Sequence, residues 1–474
     1  MVISSNEHFD AVIIGCGMSG LGAGIRLAMF GKRTLILERH NAPGGLNSFY
    51  FRDGRKYDVG LHALTNYVPP GVKGTPLGRI CRQLRIEREA LGLYEQKRSR
   101  VAFPGGSLAF SNDFALLMSE VARVFPGEVD NFRRLAEFLE GFEYFDARRA
   151  TESARAVIAE YIREPRLIEM LLCPLMYYGS AREDDMDFDQ FVILFKSIYR
   201  EGFARPLEGV RRITKVLLDR FREVGGLRKM QCGVRRIRVE QGRAAVLELD
   251  DGTEITAGLV FSTIGRVETL RLCDDQPADA GQEHIGGLSF VETITLLDQP
   301  PSAYGWEDTI VFFNDGERFN YHSPRDELVD PRSGVICFPN NYAYPAGEGL
   351  PEGVLRITAL ASHARWIKLD APAYAAAKEH WYATLRRQVL RFLPPVAEST
   401  IITHTRCTDM FTPMTIQRYT GHIGGAVYGS PHKQRDGRTA LSNLFLCGTD
   451  QGMLGIIGAI HSGISIANAY GMTR

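Results

Sequence analysis

Asp10-Ala11-Val12-Ile13-Ile14-Gly15-Cys16-Gly17-Met18-Ser19-Gly20 is the stretch on which the reading of this chain turns. An apolar run that stops at glycine predicts a buried parallel strand. Three glycines in the spacing G-x-G-x-x-G then open a helix. Leu21, Ile25, Leu27 and Ala28 give that helix an apolar face, and Gly31 closes it. Thr34-Leu35-Ile36-Leu37 predicts a second strand, ending at Glu38. Each residue type has a physical reason to be here. Gly15 allows a tight turn, Gly17 admits a pyrophosphate against bare backbone, and Gly20 lets helix and strand pack closely. Met18 and Ser19 sit at the helix start, where free N–H groups and a partial positive charge suit a diphosphate. Glu38 can accept both hydroxyls of an adenosine ribose and disfavours a 2′-phosphate; Arg39 follows it.

Working outward, a second glycine pair follows in Pro43-Gly44-Gly45-Leu46-Asn47, then Tyr57-Asp58-Val59-Gly60-Leu61-His62. A nicotinamide dinucleotide does not need that doublet. A flavin, whose diphosphate and ribityl chain run deeper, suits it. At the far end, Asn443-Leu444-Phe445-Leu446-Cys447 predicts a strand that delivers Gly448-Thr449-Asp450, and Gly455-Ile456-Ile457-Gly458 leads into a helix over about 458–469. Asp450 can accept from a ribityl hydroxyl. The helix N-terminus can aim N–H groups at the flavin pyrimidine edge. No second G-x-G-x-x-G follows a strand in the middle of the chain, so no built-in nicotinamide site is expected.

Lysine plus arginine and aspartate plus glutamate both total 56, which argues against a dedicated nucleic-acid binder. Glycine reaches 48 of 474 residues, about 10% against an ordinary ~7%, with no collagen-like period. That excess belongs in turns and close backbone approaches. The eight cysteines form no Cys-x-x-Cys pair and read as reduced thiols, and the dispersed histidines give no metal motif. The N-terminal residues carry no signal-peptide pattern and no stretch is long and apolar enough for a transmembrane span, so a cytoplasmic location is expected.

These motifs resemble those of the FAD-dependent family of phytoene desaturases, carotenoid isomerases and retinol saturases, within the flavin amine oxidase superfamily. The resemblance rests on the opening fingerprint, Gly44-Gly45, Asp58-x-Gly60, Gly448-x-Asp450 and Gly455-x-x-Gly458-Ala459. It implies an α/β fold: a Rossmann-like FAD-binding domain of the amine-oxidase type with an interleaved α+β substrate domain. The implied FAD segments are 1–75, 206–282 and 406–474; the substrate segments are 76–205 and 283–405. The resemblance also places Val234 against the adenine through its backbone and Thr263 on the strand returning to the cofactor. The Cys-Tyr pair that carries covalent flavin in monoamine oxidases is missing before Gly448, so FAD is expected to be non-covalent. Asn47 stands where amine oxidases often carry arginine, and Pro206-Leu207-Glu208-Gly209 replaces a more glycine-rich family stretch.

The cofactor set is therefore Gly15, Gly17, Met18, Ser19, Gly20, Glu38, Arg39, Gly44, Gly45, Leu46, Asn47, Gly60, Leu61, His62, Val234, Thr263, Gly448, Asp450, Gly455, Ile456, Ile457 and Gly458. His62 is the candidate catalytic residue, able to hydrogen-bond the flavin or move a proton, against the alternative of a structural histidine in a turn. Tyr177-Tyr178-Gly179 with Phe188, Phe191, Phe195 and Tyr199 reads as helical core, or else as an apolar tunnel or membrane-touching helix. Asp409, Tyr419 and Tyr428 come from segments able to line the flavin face. The expected activity is oxidoreduction of an apolar isoprenoid or polyene substrate: desaturation, saturation or redox-neutral isomerisation. A membrane can deliver that substrate to a peripherally bound protein, and an external acceptor or oxygen reoxidises the flavin. The alternatives are a flavin amine or amino-acid oxidase, and a non-catalytic prenyl-binding protein of the GDP-dissociation-inhibitor type.

Overall fold

A computed structural model describes residues 3–60, 62–143 and 150–472. Its first sheet has seven strands, ordered Val234–Glu240, Arg243–Leu249, Glu254–Ser262, Glu7–Ile14, Thr34–Leu37 and Leu227–Lys229, with Leu444–Leu446 beside Glu254–Ser262. Strand Glu7–Ile14 pairs in parallel with Thr34–Leu37 on one side and Glu254–Ser262 on the other. Side chains alternate across a strand, and here both faces are covered. Ala11, Ile13 and Ile36 pack into one apolar cluster with the helices, while Val12, Ile14, Leu35 and Leu37 pack into another with the antiparallel strands. That double burial is why the segment reads as a continuous apolar run.

Helix Met18–Met29 lies against helix Gly455–Ile466 from the other end of the chain. Their approach is set by glycine. A Cβ on Gly22 would fall on the Ile460 carbonyl, and one on Gly463 on the Ser19 carbonyl, both well inside van der Waals contact. Gly463→Ala is expected to force the helices apart at a cost of about 1–3 kcal/mol, read as a lowered denaturant midpoint. An unchanged midpoint would show that the crossing can relax.

The second sheet also has seven strands, ordered Thr405–Phe411, Ser289–Leu297, Gly353–Ala361, Val329–Cys337, Ile310–Asn314, Ser99–Phe103 and Gly106–Phe110. All pairs are antiparallel except Ile310–Asn314 with Ser99–Phe103. Helices Phe114–Val124, Val129–Gly141, Pro165–Gly179 and Phe188–Phe195 share an apolar cluster with one face of this sheet. Helix Ala371–Leu390 covers the other face through Trp381, Leu385 and Val389. Asp370 caps it by accepting from the Ala373 N–H at 2.9 Å, as its residue type predicts.

The structure departs from the sequence reading at the last helix, which begins at Gly455, one turn before Gly458. Ser99–Phe103 and Gly106–Phe110 extend the second sheet. Phe392 lies beyond the end of helix Ala371–Leu390 and packs its ring on Phe313. Phe188, Phe191, Phe195 and Tyr199 are buried core, which removes the membrane-touching alternative for that helix. Among the described residues, no helix is long and apolar enough to cross a membrane, and no group of three or more His, Cys, Asp or Glu side chains could hold a metal.

Candidate flavin site

The strand–turn–helix opening converges with the second glycine pair. Gly15 has φ of +104°, a conformation that favours glycine, and its N–H bonds the Leu37 carbonyl at 2.8 Å. A Cβ on Gly20 would collide with the Gly15 carbonyl, so Gly20 does permit close helix–turn packing. Gly44 donates to the Cys16 carbonyl at 2.9 Å and bridges Gly17. A Cβ on Gly17 would meet only the Gly44 carbonyl, at 3.9 Å, one on Gly45 only the Gly17 Cα, at 4.0 Å, and one on Gly455 nothing within 4 Å. Gly17, Gly45 and Gly455 thus each border open space.

Glu38 stands just after strand Thr34–Leu37, beside this turn. Its Oε2 accepts from the Cys16 N–H at 2.7 Å and its Oε1 from the His40 N–H at 2.8 Å. The carboxylate ties the turn together and retains lone pairs for ribose hydroxyls. Arg39 pairs with Asp250 at 3.0 Å and donates to the Val234 carbonyl at 2.9 Å. That bond joins the strand Val234–Glu240 to the end of strand Thr34–Leu37. Thr263 donates its hydroxyl to the Ile14 carbonyl at 2.9 Å, beside Gly15.

On the C-terminal side, a Cβ on Gly448 would touch the Ser19 hydroxyl at 2.8 Å, so Gly448 and Ser19 are neighbours. Met18, Ile456 and Ile457 are buried in the cluster beneath. A Cβ on Gly458 would press on the Met453 backbone, so Gly458 serves a backbone packing contact. Asp450 is buried, accepting from the Arg266 N–H at 2.5 Å and the Ser430 N–H at 2.7 Å. Ser462 accepts from the Gly448 N–H at 2.5 Å, a packing role.

Lys433 lies 3.8 Å from Asp450 with 17% of its side chain exposed. Burial pushes its ammonium down to about 8, and Asp450 opposes that shift. The unfolded chain holds this proton up to about pH 10. Stability should therefore rise between about pH 8 and about pH 10, where only the unfolded chain still binds the proton. Lys433→Met is expected to remove that slope in denaturant titrations; the same slope in both proteins would refute the assignment.

The segment reaching His62 is held from several sides. Asp58, whose side chain is 4% exposed, pairs with Arg205 at 2.7 Å and Arg211 at 3.0 Å. Gly209 has φ of +73°, and a Cβ there would fall on the Asp58 carboxylate, so Gly209 clears room for this pair. Arg356 donates to the carbonyls of Asp58, Val59 and Gly60, at 3.2, 3.0 and 3.0 Å. The backbone of Gly60 packs on Leu46, with Asn47 Oδ1 alongside. Leu61 lies outside the described residues. Tyr342 donates its hydroxyl to the His62 carbonyl at 2.7 Å. The His62 Nε2 lies 3.0 Å from Thr358 Oγ1 and 3.4 Å from Glu292 Oε2.

Sequence reasoning missed Glu292 and Arg356, which form an ion pair beneath this segment. Their signal was present: each is a charge inside an otherwise apolar strand, Phe290-Val291-Glu292-Thr293-Ile294 and Leu355-Arg356-Ile357. Burial opposes the charge on Glu292, but Arg356 and His62 outweigh it and hold the carboxyl below its ordinary value. Asp409 and Tyr419 do not join this group. Asp409 accepts from Tyr50 at 2.6 Å and pairs with Arg52 at 2.7 Å, and Tyr419 is exposed against His40. Tyr428 donates to the Tyr177 carbonyl within the aromatic cluster of Tyr177, Phe290 and Tyr428.

The chain matches the family described as flavin containing amine oxidoreductase over residues 18–469. It belongs to that family. A flavin is accordingly its cofactor. Among its relatives is prolycopene isomerase 2 of an Oncidium hybrid cultivar, 22% identical over 56% of this chain and 50% of the relative. Another is the all-trans-retinol 13,14-reductase of Danio rerio, 23% identical over 96% of this chain and 84% of the relative. A third is a neurosporene-forming phytoene desaturase of Cereibacter sphaeroides, 25% identical over 56% of this chain and 55% of the relative. The chain spans about half the length of the first of these. A crystal structure of an oxidoreductase from Methanosarcina mazei shares the fold, with a TM-score of 0.66 and 16% identity, covering 97% of this chain and 99% of that one.

Proposed function

We propose that this protein is an FAD-dependent oxidoreductase of apolar, polyene-like substrates, with non-covalent FAD. The observation that carries the reading is the likeness to a retinol reductase along nearly the whole chain, joined to the open space beside Gly17, Gly45 and Gly455. The isomerase and desaturase relatives act, by their names, on the same class of conjugated hydrocarbon. The FAD domain comprises residues 1–75, 206–282 and 406–474, with the substrate domain between.

When bound, FAD supplies two-electron chemistry, which protein side chains lack. The chain's own residues do the rest. Glu38 holds the ribose, and the amides opening helix Met18–Met29 face the diphosphate. Asp450 holds the ribityl chain. The N-terminus of helix Gly455–Ile466 stabilises negative charge at the flavin's pyrimidine edge. His62 holds or moves a proton beside the reacting carbons. The aromatic cluster of Tyr177, Phe290 and Tyr428 excludes water from an apolar substrate. A membrane delivers that substrate, and an external acceptor or oxygen takes the electrons.

The purified protein should be yellow, and acid precipitation should release FAD into the supernatant. Mass spectrometry of the same preparation should find a copurifying polyene or prenyl lipid. A colourless protein that acquires no flavin bands on FAD addition would end the flavoenzyme reading. Hydrogen peroxide release with amines, and none with polyenes, would move it to the amine-oxidase alternative.

A further inference from the structure

The buried acid under His62 has a geometry that does more than anchor a strand. Glu292 sits in strand Ser289–Leu297 and Thr358 in the neighbouring Gly353–Ala361, directly paired in register. Both side chains meet His62 at the same ring nitrogen, Nε2, at 3.4 and 3.0 Å. Thr358 Oγ1 is also 3.5 Å from Glu292 Oε2 and can donate to it. Glu292 is kept ionised by Arg356, and an ionised carboxylate only accepts hydrogen bonds. A hydroxyl whose proton is committed to Glu292 likewise presents a lone pair. The Nε2 position therefore faces two acceptors and needs to carry the proton itself.

We infer that Glu292, with Thr358, is a positioning residue that locks neutral His62 in its Nε2–H tautomer, leaving Nδ1 as the acceptor atom offered to the reaction. The inference rests on the flavin reading of this site. Among the described residues, no hydrogen bond is made to Nδ1, and the ring keeps 16% of its surface exposed. The other groups around His62 leave this arrangement alone. Tyr342 and Cys337 address its carbonyl, not its ring. Arg356 bonds the backbone at Asp58, Val59 and Gly60 together with Glu292, and Asp58 is spent on Arg205 and Arg211. A histidine held by a carboxylate at one nitrogen has its ring orientation and tautomer set by that bond. Here the carboxylate is in turn held by an arginine that also grips the chain leading to His62, so ring and backbone move as one unit.

The test is long-range proton–nitrogen correlation NMR on the FAD-loaded protein with 15N-histidine, above about pH 8.5, where an ordinary histidine is neutral. His62→Gln assigns the signal. The expected pattern is a protonated Nε2 and a bare Nδ1; a proton on Nδ1 overturns the inference. In Glu292→Gln, provided it is folded and yellow, the single-tautomer pattern should give way to a mixture. An unchanged pattern there would remove Glu292 from the role. Flavin absorbance of the same samples separates the two levels: protein that binds no FAD fails the functional reading, whatever its tautomer.

Discussion

Glu38→Ala is expected to weaken FAD binding by about tenfold to a hundredfold, measured by quenching of flavin fluorescence on titrating apoprotein. Hydrogen bonds to a charged group contribute roughly 1.5–3 kcal/mol, and each 1.4 kcal/mol is about tenfold in affinity. The variant loses the ribose acceptor and, at the same time, the bonds to the Cys16 and His40 amides. The Cys16 amide belongs to the glycine turn and the His40 amide to the loop after the second strand, so the loss also loosens the join between them. Glu38→Gln keeps one oxygen acceptor and should fall between. Wild-type affinity in Glu38→Ala would mean that this acid organises the turn without touching the ribose.

Asp58→Ala is expected to destabilise the protein by about 3–5 kcal/mol, because it removes the carboxylate from a buried ion pair that it shares with Arg205 and Arg211. Asp58 and Arg205 are 4% and 6% exposed on their side chains, and their bond is 2.7 Å. Denaturant unfolding of apoprotein reads the effect apart from cofactor binding. Combining Asp58→Ala with Arg205→Met should recover part of the loss, since an apolar side chain then replaces the buried guanidinium. A cost under about 1 kcal/mol would place this pair among weak surface contacts. The loss should also loosen the route from hairpin Phe49–Asp58 to His62, so flavin should dissociate faster from any folded fraction.

Most of what was legible in the chain was local. The strand–turn–helix at residues 10–29 could be read because a short apolar run, a glycine spacing and a helical apolar face follow one another without interruption. The Asp370 cap is local in the same way, since it acts on an amide three residues away. Strand Ser99–Phe103 was not, because its pairing with Ile310–Asn314 lies some two hundred residues away and nothing in its own composition announces it. Gly22 and Gly463 looked like ordinary helical glycines until two helices from opposite ends of the chain met across them.

The glycine fingerprint, Glu38, Gly44-Gly45 and Asp450 by themselves pointed to the α/β flavoprotein fold, because backbone conformation and close approach are properties of a residue and its immediate neighbours. Only the tertiary structure decided what surrounds His62. Glu292, Arg356 and Thr358 come from two strands distant from it in sequence, and their charges acquire meaning when burial strips away water and leaves each with few partners. A hydrogen bond's direction and a buried charge's cost are set by surroundings in space, which one-dimensional spacing does not carry.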